Sequence, residues 1–275
     1  LIDQNDSFVF GFAKLDVMFG HRDPDEVRLY YRDIAKPNVQ FRQETVLSID
    51  PQARRVRTDR ATYDADILVV ALGADLDPGA TPGLVEGGHE FYSPQGAERV
   101  ADMLPSFKAG VAVIGVLGPV FKCPPAPNEA ALMLHDYLSE RGVRDAVTIH
   151  LVNPLGSPIP VSEETSAAIV SMLADRGIQH WPSSQVERLD PAAKVAHLAD
   201  GRRLPYDLFL AVPVHRAPAV VLDAGLTEDG WIPVDPATFA TRFPDVYAIG
   251  DVTNAPVPRA GTIAEGELSL IHISE

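Results

Sequence analysis

The chain has only one cysteine, Cys123, so no disulfide can form within it. No apolar run approaches the ~20 residues that a membrane-spanning helix needs, and no stretch is rich in lysine and arginine. The net charge at pH 7 is −15, which repels nucleic acid and anionic membrane surfaces. These shortages argue against a disulfide-stapled scaffold, a bundle of membrane helices and a nucleic-acid-binding protein, so we expect no nucleic acid partner.

The residues that are present form an alternating pattern of strands and helices. The chain has 275 residues, of which 46% are hydrophobic, enough for two domains with a sizeable core. Apolar runs predict buried strands at residues 67–73, 111–115 and 208–212. Helical periodicity predicts helices at residues 129–141 and 163–175. This βαβ alternation predicts an α/β fold built on a parallel sheet.

The turn after the strand at residues 111–115 departs from the usual phosphate-binding sequence. A βα turn in that place ordinarily carries G-x-G-x-x-G. Here Gly115 and Gly118 remain, but Leu117 stands where the second glycine belongs. The chain continues with Phe-Lys-Cys-Pro-Pro-Ala-Pro-Asn-Glu at residues 121–129. Prolines and a thiol replace the phosphate cradle, which predicts sulfur chemistry rather than pyrophosphate binding.

Both ends of the chain predict that it is a piece of a longer protein, truncated on both sides. Residues 1–3 read as the end of a buried strand, so we expect a glycine fingerprint upstream of them. Residues 268–275 read as the translation of a sequencing adaptor, and we expect them not to be native sequence. We expect any peripheral membrane contact to lie in a missing C-terminal part, and a bacterial cytoplasmic or peripheral membrane location rather than secretion.

Three motifs stand in order along the chain: Leu-Val-Val-Ala-Leu-Gly at residues 68–73, the Cys123 turn, and Tyr-Ala-Ile-Gly-Asp at residues 247–251. Together they resemble flavoproteins with two dinucleotide-binding domains, the glutathione-reductase-like superfamily. The resemblance implies two Rossmann-like domains of the FAD/NAD(P)-binding fold. It places the FAD-binding domain in residues 1–105 and 226–267, with the second Rossmann-like domain, residues 106–225, inserted between these parts.

Within that superfamily the chain is similar to the sulfide:quinone oxidoreductases and the flavocytochrome c sulfide dehydrogenases. Residues 122–129 resemble the first redox-cysteine segment of the flavocytochrome branch, although Asn128 replaces a tyrosine, and residues 230–235 match a second segment. The family's second redox cysteine falls where Ile232 stands. A single cysteine cannot cycle through an internal disulfide, but Cys123 can carry a persulfide and pass its outer sulfur to an external thiol.

The resemblance also implies a set of residues that bind FAD. Asp251 would accept hydrogen bonds from the ribityl chain, and a helix opening at Gly261, with Arg259 beside it, would stabilise negative charge on the flavin. Asp3 would bind the adenosine ribose, and the backbone of Val46 would touch adenine. The full set of expected FAD-binding residues is Asp3, Val46, Ala71, Gly73, Gly250, Asp251, Arg259 and Gly261. The plainer interpretations are that the two aspartates form turns and that the arginine is solvated.

Cys123 and Glu129 are the expected catalytic residues. Cys123 precedes a predicted helix N-terminus and adjoins Lys122, and both features lower the pKa of a thiol. The resemblance implies that Glu129 exchanges protons with the sulfur. The alternatives are a buried, inert cysteine and an acid that merely favours the first turn of its helix.

These residues predict an FAD-dependent oxidoreductase that oxidises sulfide or a persulfide through Cys123 next to the flavin and passes electrons to a quinone or a cytochrome. A second interpretation is an NAD(P)H-dependent flavoprotein such as a type 2 NADH dehydrogenase. The altered turn opposes it, and so does Asn153, which stands where an acid would bind the NAD ribose. A third is a non-catalytic flavin-binding sensor or partner subunit, which Ile232 suggests. His135 and His215 have no metal-ligand spacing, so we expect no metal.

Overall fold

The computed structural model of the protein describes residues 1–11 and 13–273. Within them the strands are β1 (Ile2–Asp3), β2 (Ser7–Val9), β3 (Arg28–Tyr30), β4 (Arg42–Gln43), β5 (Val46–Asp50), β6 (Arg55–Thr58), β7 (Thr62–Asp64), β8 (Leu68–Val70), β9 (Asp75–Asp77), β10 (His89–Glu90), β11 (Gly110–Val116), β12 (Val147–Val152), β13 (Ile178–Trp181), β14 (Val186–Asp190), β15 (Val195–Leu198), β16 (Arg203–Pro205), β17 (Leu208–Val212), β18 (Val214–Arg216) and β19 (Val246–Ala248). The α-helices are α1 (Ala13–Met18), α2 (Leu84–Gly87), α3 (Pro94–Met103), α4 (Ala126–Glu140), α5 (Glu163–Asp175), α6 (Ala219–Asp223) and α7 (Gly261–Ile273).

The chain divides into two compact units. The first unit comprises Leu1–Phe10, Arg28–Asp75 and Arg216–Glu275, and the second unit comprises Gly11–Val27 and Leu76–His215. Residues 76–105 belong to the second unit by their contacts, since α3 packs against α1 and β10 there. The domain limits that the sequence suggests, at 105/106 and 225/226, stay a prediction.

The second unit is built on a five-stranded parallel sheet with the strand order β10-β17-β11-β12-β13. The central strand β11 is buried from Ala112 onward, because β12 and β17 pair with it on either side. Helix α4 packs on β11 and β12, and its Leu134 and Leu138 are fully buried in the same core as Ile114. The α/β fold expected from the sequence is therefore confirmed.

Helices α4 and α5 begin and end where their sequence explains it. α5 spans Glu163–Asp175, as the periodicity predicts, and the Ser162 hydroxyl caps it by accepting the Thr165 N–H at 3.3 Å. α4 begins at Ala126 rather than at the predicted Glu129, because a proline fits the first turn of a helix. It ends before Gly142, whose φ of 68° is the left-handed value typical of a glycine after a helix.

The first unit contains the parallel pair of β8 and β19 and an antiparallel sheet of β5, β6 and β7. Helix α6 packs on β5. Ile49, Val70, Val221, Ile232 and Val246 lie together in the core of this unit. The parallel pair matters for function, because it brings two strand ends to one edge.

Strand β8 is less buried than its apolar sequence predicts. Residues 67–73 predict a strand buried on both faces, but Ile67 is 45% exposed and Val69 is 39% exposed. Among the described residues β8 pairs with β19 alone, so only the face that carries Val70 packs into the core. The prediction of full burial is wrong, because an unbroken apolar run does not say how many neighbours a strand has.

The C-terminal helix α7 runs through Ile273. The suggestion that residues 268–275 are an adaptor sequence stays a prediction, and residues 274–275 lie outside the described residues. Between residues 1 and 273, Phe12 excepted, none of the helices combines the length and the apolar character that crossing a bilayer requires.

Candidate functional site

Cys123 lies in the loop between β11 and α4 of the second unit. It is partly exposed and packs against the hydrophobic core of this unit, and its reactivity stays a prediction. Its φ is 54°, a left-handed value that few residues other than glycine adopt. Pro124 follows, and a residue before proline ordinarily favours extended backbone. The loop therefore holds a partly exposed thiol in a strained backbone conformation.

Each N–H group in the first turn of α4 already has an acceptor. The Ala126 N–H donates to a carbonyl of the loop before it, and the N–H groups of Asn128 and Glu129 both donate to the Pro125 carbonyl, all at 3.0 Å. Pro127 has no N–H to offer. A dinucleotide-binding turn presents free N–H groups at this end of the helix. The Cys123 turn therefore does not provide the usual pyrophosphate site.

Gly115 and Leu117 of this turn contribute to packing instead of binding a ligand. A Cβ atom on Gly115 would lie 2.5 Å from the Phe209 ring, so the close approach of that ring requires glycine. Leu117 is 3% exposed, and its N–H donates to the Val212 carbonyl at 3.0 Å. The Leu117 carbonyl accepts a hydrogen bond from Gln185 Nε2 at 2.8 Å. These positions belong to the core of the unit rather than to a ligand.

Glu129 lies in the first turn of α4 and is partly exposed. Burial raises the pKa of its carboxyl group, and the negative charge of Asp16 raises that pKa further. The carboxyl group therefore keeps its proton to a higher pH than an ordinary glutamate, which suits a group that gives or takes a proton near neutral pH. Its action on the sulfur of Cys123 stays a prediction.

We expect the free energy of unfolding of the Glu129→Gln variant to increase relative to that of the wild type as the pH rises. A carboxyl group whose pKa is higher in the folded protein than in the unfolded chain binds more protons when folded. The wild type therefore loses stability as the pH rises from the ordinary glutamate pKa through the raised one, whereas glutamine does not titrate. Thermal unfolding at about pH 4 and about pH 7 measures the difference. The control is Glu140→Gln at the exposed end of the same helix, and a pH-independent difference for Glu129→Gln would contradict the prediction.

In the first unit the carboxyl ends of β8 and β19 lie side by side. The strands are parallel, and the Ile249 N–H donates to the last carbonyl of β8 at 3.1 Å. Ala71 and Gly73 follow β8, and Gly250 and Asp251 follow β19. The structure therefore brings these four expected residues to one edge of the pair, which is where α/β folds bind their ligands.

The turns at this edge depend on glycine, and the turn after β19 borders a cleft. Gly73 and Gly250 have φ values of 67° and 73°, left-handed values that glycine adopts without strain. A Cβ atom on Gly250 would lie 3.5 Å from the side chain of Ala264 in α7. The lining of the cleft includes Gly250, Thr253, Arg259, Ala260, Ile263 and Glu267.

Arg259 ties together the loop between β19 and α7. Its Nε donates to the Asp251 carbonyl at 3.0 Å, and one Nη donates to the Thr253 carbonyl at 2.7 Å. Its guanidinium group lies 4.2 Å from the centre of the Trp231 ring. Burial lowers the pKa of Arg259, and the charges of Asp251 and Glu267 act in the opposite direction. Arg259 is therefore not a freely solvated side chain, and it places a positive charge at the cleft.

Helix α7 begins at Gly261, as the sequence predicts, and its N-terminus keeps free donors. The N–H groups of Ile263 and Ala264 donate to the Ala260 carbonyl at 3.0 Å, whereas those of Gly261 and Thr262 donate to no described residue. In the first turn of α4, by contrast, each N–H group has an acceptor. Free N–H groups, a cationic side chain and a cleft at the strand ends fit the negatively polarised part of a bound flavin, so the residues present fit FAD.

Of the expected FAD-binding residues, Gly250 and Arg259 line this cleft, and the others do not: Asp3, Val46, Ala71, Gly73, Asp251 and Gly261. Asp3 ends β1, and its carboxylate accepts the Tyr31 hydroxyl at 2.8 Å and the Asn5 N–H at 2.8 Å. Val46 begins β5 and lies opposite Thr58. Their roles at the adenosine end of FAD stay predictions.

Glu267 belongs to the cleft, although the sequence analysis did not select it. It is 4% exposed, and its carboxylate accepts the Gly250 N–H at 2.5 Å. Glu265, two residues earlier in α7, is exposed. Both are acids on one helix without a distinguishing motif, so only the direction in which α7 packs separates them. The contact of Trp231 with Arg259 was missed for the same reason.

Comparison with known proteins identifies the family. The family model described as pyridine nucleotide-disulphide oxidoreductase matches residues 14–272. The chain belongs to this family. The match extends over nearly the whole chain, and it confirms the superfamily and the oxidoreductase class that the motifs predict.

The curated relatives include a sulfide:quinone oxidoreductase and an NADH dehydrogenase-like protein. The mitochondrial sulfide:quinone oxidoreductase of Schizosaccharomyces pombe is 27% identical over 232 residues, covering 78% of this chain and 50% of the relative. An NADH dehydrogenase-like protein of Mycobacterium tuberculosis is 29% identical over 223 residues, covering 76% of this chain and 54% of the relative. The chain spans about half the length of these relatives.

Solved structures show the same fold. The sulfide:quinone oxidoreductase from the hyperthermophilic bacterium Aquifex aeolicus matches with a TM-score of 0.85 at 22% identity, covering 100% of this chain and 69% of that chain. NDH2 from Plasmodium falciparum in complex with NADH matches with a TM-score of 0.70 at 15% identity, covering 92% of this chain and 59% of that chain. At these identities the likeness establishes the fold alone.

Proposed function

We propose that the chain is the flavin-binding part of an FAD-dependent oxidoreductase that oxidises sulfide or a persulfide through Cys123 and passes the electrons to a quinone or a cytochrome. The Cys123 loop carries this proposal. A partly exposed thiol stands at the turn where a Rossmann-like domain ordinarily binds phosphate, and the N–H groups of the adjoining helix turn are already used. The sulfide:quinone oxidoreductases among the relatives support the same assignment.

In the proposed reaction Cys123 supplies the sulfur on which the substrate sulfur is collected. Joining hydrogen sulfide to the thiol forms one S–S bond and releases two protons and two electrons. FAD, when bound, accepts the two electrons. Glu129, with its raised pKa, exchanges a proton at the sulfur. Cys123 is the only cysteine of the chain, and Ile232 carries no thiol, so the outer sulfur leaves to an external thiol or sulfide rather than through an internal disulfide.

The residues proposed to hold FAD lie in the first unit. At the edge formed by β8 and β19, the proposed contacts to the flavin and ribityl parts come from Ala71, Gly73, Gly250, Asp251, Arg259 and Gly261. Asp3 and Val46 are proposed to contact the adenosine part. The free N–H groups of Gly261 and Thr262 support the flavin end of this assignment.

An NAD(P)H-dependent flavoprotein is the second candidate, because NADH dehydrogenase-like proteins are among the relatives. The second unit does not favour it. Asn153, at the end of β12, is fully buried, and its Oδ1 accepts the Leu155 N–H at 2.9 Å. The side chain is thus engaged with its own loop and offers no carboxylate to a nucleotide ribose.

Anaerobic flavin spectroscopy separates these candidates. The purified protein, loaded with FAD, receives sulfide first and NADH afterwards, while the flavin absorbance band is recorded. We expect sulfide to bleach the band and NADH to leave the oxidised protein unchanged. Bleaching by NADH alone would establish the second candidate. Bound FAD that neither compound reduces would point to a non-catalytic sensor or partner subunit, and reoxidation by a quinone or a cytochrome identifies the acceptor.

A further inference from the structure

Tyr92 contacts the strained backbone of Cys123 from a different part of the second unit. It follows β10, is 4% exposed, and its hydroxyl donates to the Cys123 carbonyl at 3.3 Å. The Ala126 N–H donates to the same carbonyl at 3.0 Å. Two donors therefore fix the peptide group that joins Cys123 to Pro124.

Tyr92 is itself held by its neighbours. Lys14 Nζ donates to the Tyr92 carbonyl at 2.6 Å, and the Tyr92 N–H donates to the Glu90 carboxylate at 3.0 Å. Its ring meets the His215 ring edge-on, with the centres 5.6 Å apart and an angle of 89°, and meets Phe91 at 5.2 Å. The position of the hydroxyl is therefore set by packed neighbours and not by the Cys123 loop.

The hydroxyl of Tyr92 keeps its proton to a higher pH than an ordinary phenol. Burial raises the pKa of Tyr92 well above its ordinary value, and a negative charge on Cys123 raises that pKa further. The hydroxyl therefore keeps the proton that it donates to the Cys123 carbonyl.

Without such contacts the backbone of Cys123 would not keep a φ of 54°. A left-handed φ is unfavourable for a residue with a Cβ atom, and the following proline favours extended backbone. We propose that Tyr92 is a positioning residue for Cys123: its hydroxyl clamps the Cys123 carbonyl and holds the thiol in the conformation in which it reacts. This inference rests on the proposed function, in which Cys123 is the sulfur nucleophile.

Alkylation of the only thiol in the chain by monobromobimane tests the clamp in the FAD-loaded protein. The rate is measured from about pH 6 to about pH 10, well below the unfolding temperature, for the wild type, Tyr92→Phe and Tyr206→Phe. Tyr206 is a matched control, because it is also 4% exposed and lies in the second unit, but its hydroxyl has no hydrogen-bond partner among the described residues.

We expect Tyr92→Phe to lower the alkylation rate about 3- to 10-fold, the factor that one neutral hydrogen bond carries, and to shift the midpoint of the pH profile. Tyr206→Phe should follow the wild type in both. Equal rates and midpoints for Tyr92→Phe and the wild type overturn the clamp. If Tyr92→Phe does not fold, Lys14→Met removes the donor to the Tyr92 carbonyl. It should lower the rate by a smaller factor, and a wild-type rate there also overturns the clamp.

The failure of the clamp and the failure of the proposed function give different results. Flavin reduction by sulfide that survives in Cys123→Ser ends the proposed function, whatever the alkylation rates are. Unchanged alkylation in Tyr92→Phe ends the clamp, even when sulfide reduces the flavin through Cys123.

Discussion

We expect sulfide no longer to bleach the flavin band when Cys123 is replaced by serine. We expect the reduction rate to fall at least about 1000-fold, the scale of losing a nucleophile that acts directly on the substrate. A serine hydroxyl does not ionise near neutral pH and forms no bond to sulfur that could carry the reaction. Stopped-flow absorbance of the FAD-loaded protein, mixed anaerobically with excess sulfide, measures the rate.

The serine variant should retain the site in every other respect. Serine has nearly the shape of cysteine and, like it, carries no β-branch that would add strain at a φ of 54°. FAD content, the unfolding temperature and full reduction by dithionite should therefore match the wild type. Reduction of the variant by sulfide at the wild-type rate would show that another group accepts the substrate sulfur.

We expect FAD to bind about 10- to 100-fold more weakly when Asp251 is replaced by alanine. A hydrogen bond to a charged group contributes about 1.5–3 kcal/mol, and each 1.4 kcal/mol is a factor of ten in affinity. The loop around Asp251 should persist, because Arg259 Nε donates to the backbone carbonyl of that residue, which alanine keeps. Titration of the apoprotein with FAD, followed by quenching of flavin fluorescence, gives the dissociation constants.

The matched control for Asp251→Ala is Asp66→Ala. Asp66 is an exposed aspartate of the first unit, just before the opposite end of β8. We expect its replacement to leave FAD binding at the wild-type level. Equal affinities of Asp251→Ala and the wild type would mean that Asp251 is a turn residue, and that the ribityl chain finds its acceptor elsewhere.

Local patterns predict the elements of the second unit well. α5 and β17 match the prediction at both ends. Helix caps and apolar runs determine where these elements begin and end, and both can be recognised from a few consecutive residues. Helix α3 was missed, although the Ser93 hydroxyl accepts the Gly96 N–H at 2.9 Å and Pro94 opens the helix, because nearby prolines and glycines suggested a loop.

The residues of the candidate site also fall into two groups, those that a sequence motif indicates and those that meet only through packing. Gly73, Gly250 and Asp251 are expected from the resemblance of their motifs, and all three follow strands, where α/β folds bind their ligands. Two contacts join residues that are distant in sequence and carry no pattern, Glu267 to Gly250 and Tyr92 to Cys123. Whether such side chains meet depends on how the elements pack, so the sequence alone does not reveal them.

The first unit has a consequence for the synthesis of the protein. β8 lies early in the chain, and its partner β19 lies near the end, with Leu76–His215 of the second unit between them. On the ribosome, all strands of the second unit's parallel sheet are present once His215 has emerged, while β8 is still unpaired. Pairing across such a distance is slow, and an unpaired apolar strand invites aggregation. The yield of folded protein therefore depends on the rate of translation and on chaperones that shield β8 until β19 arrives.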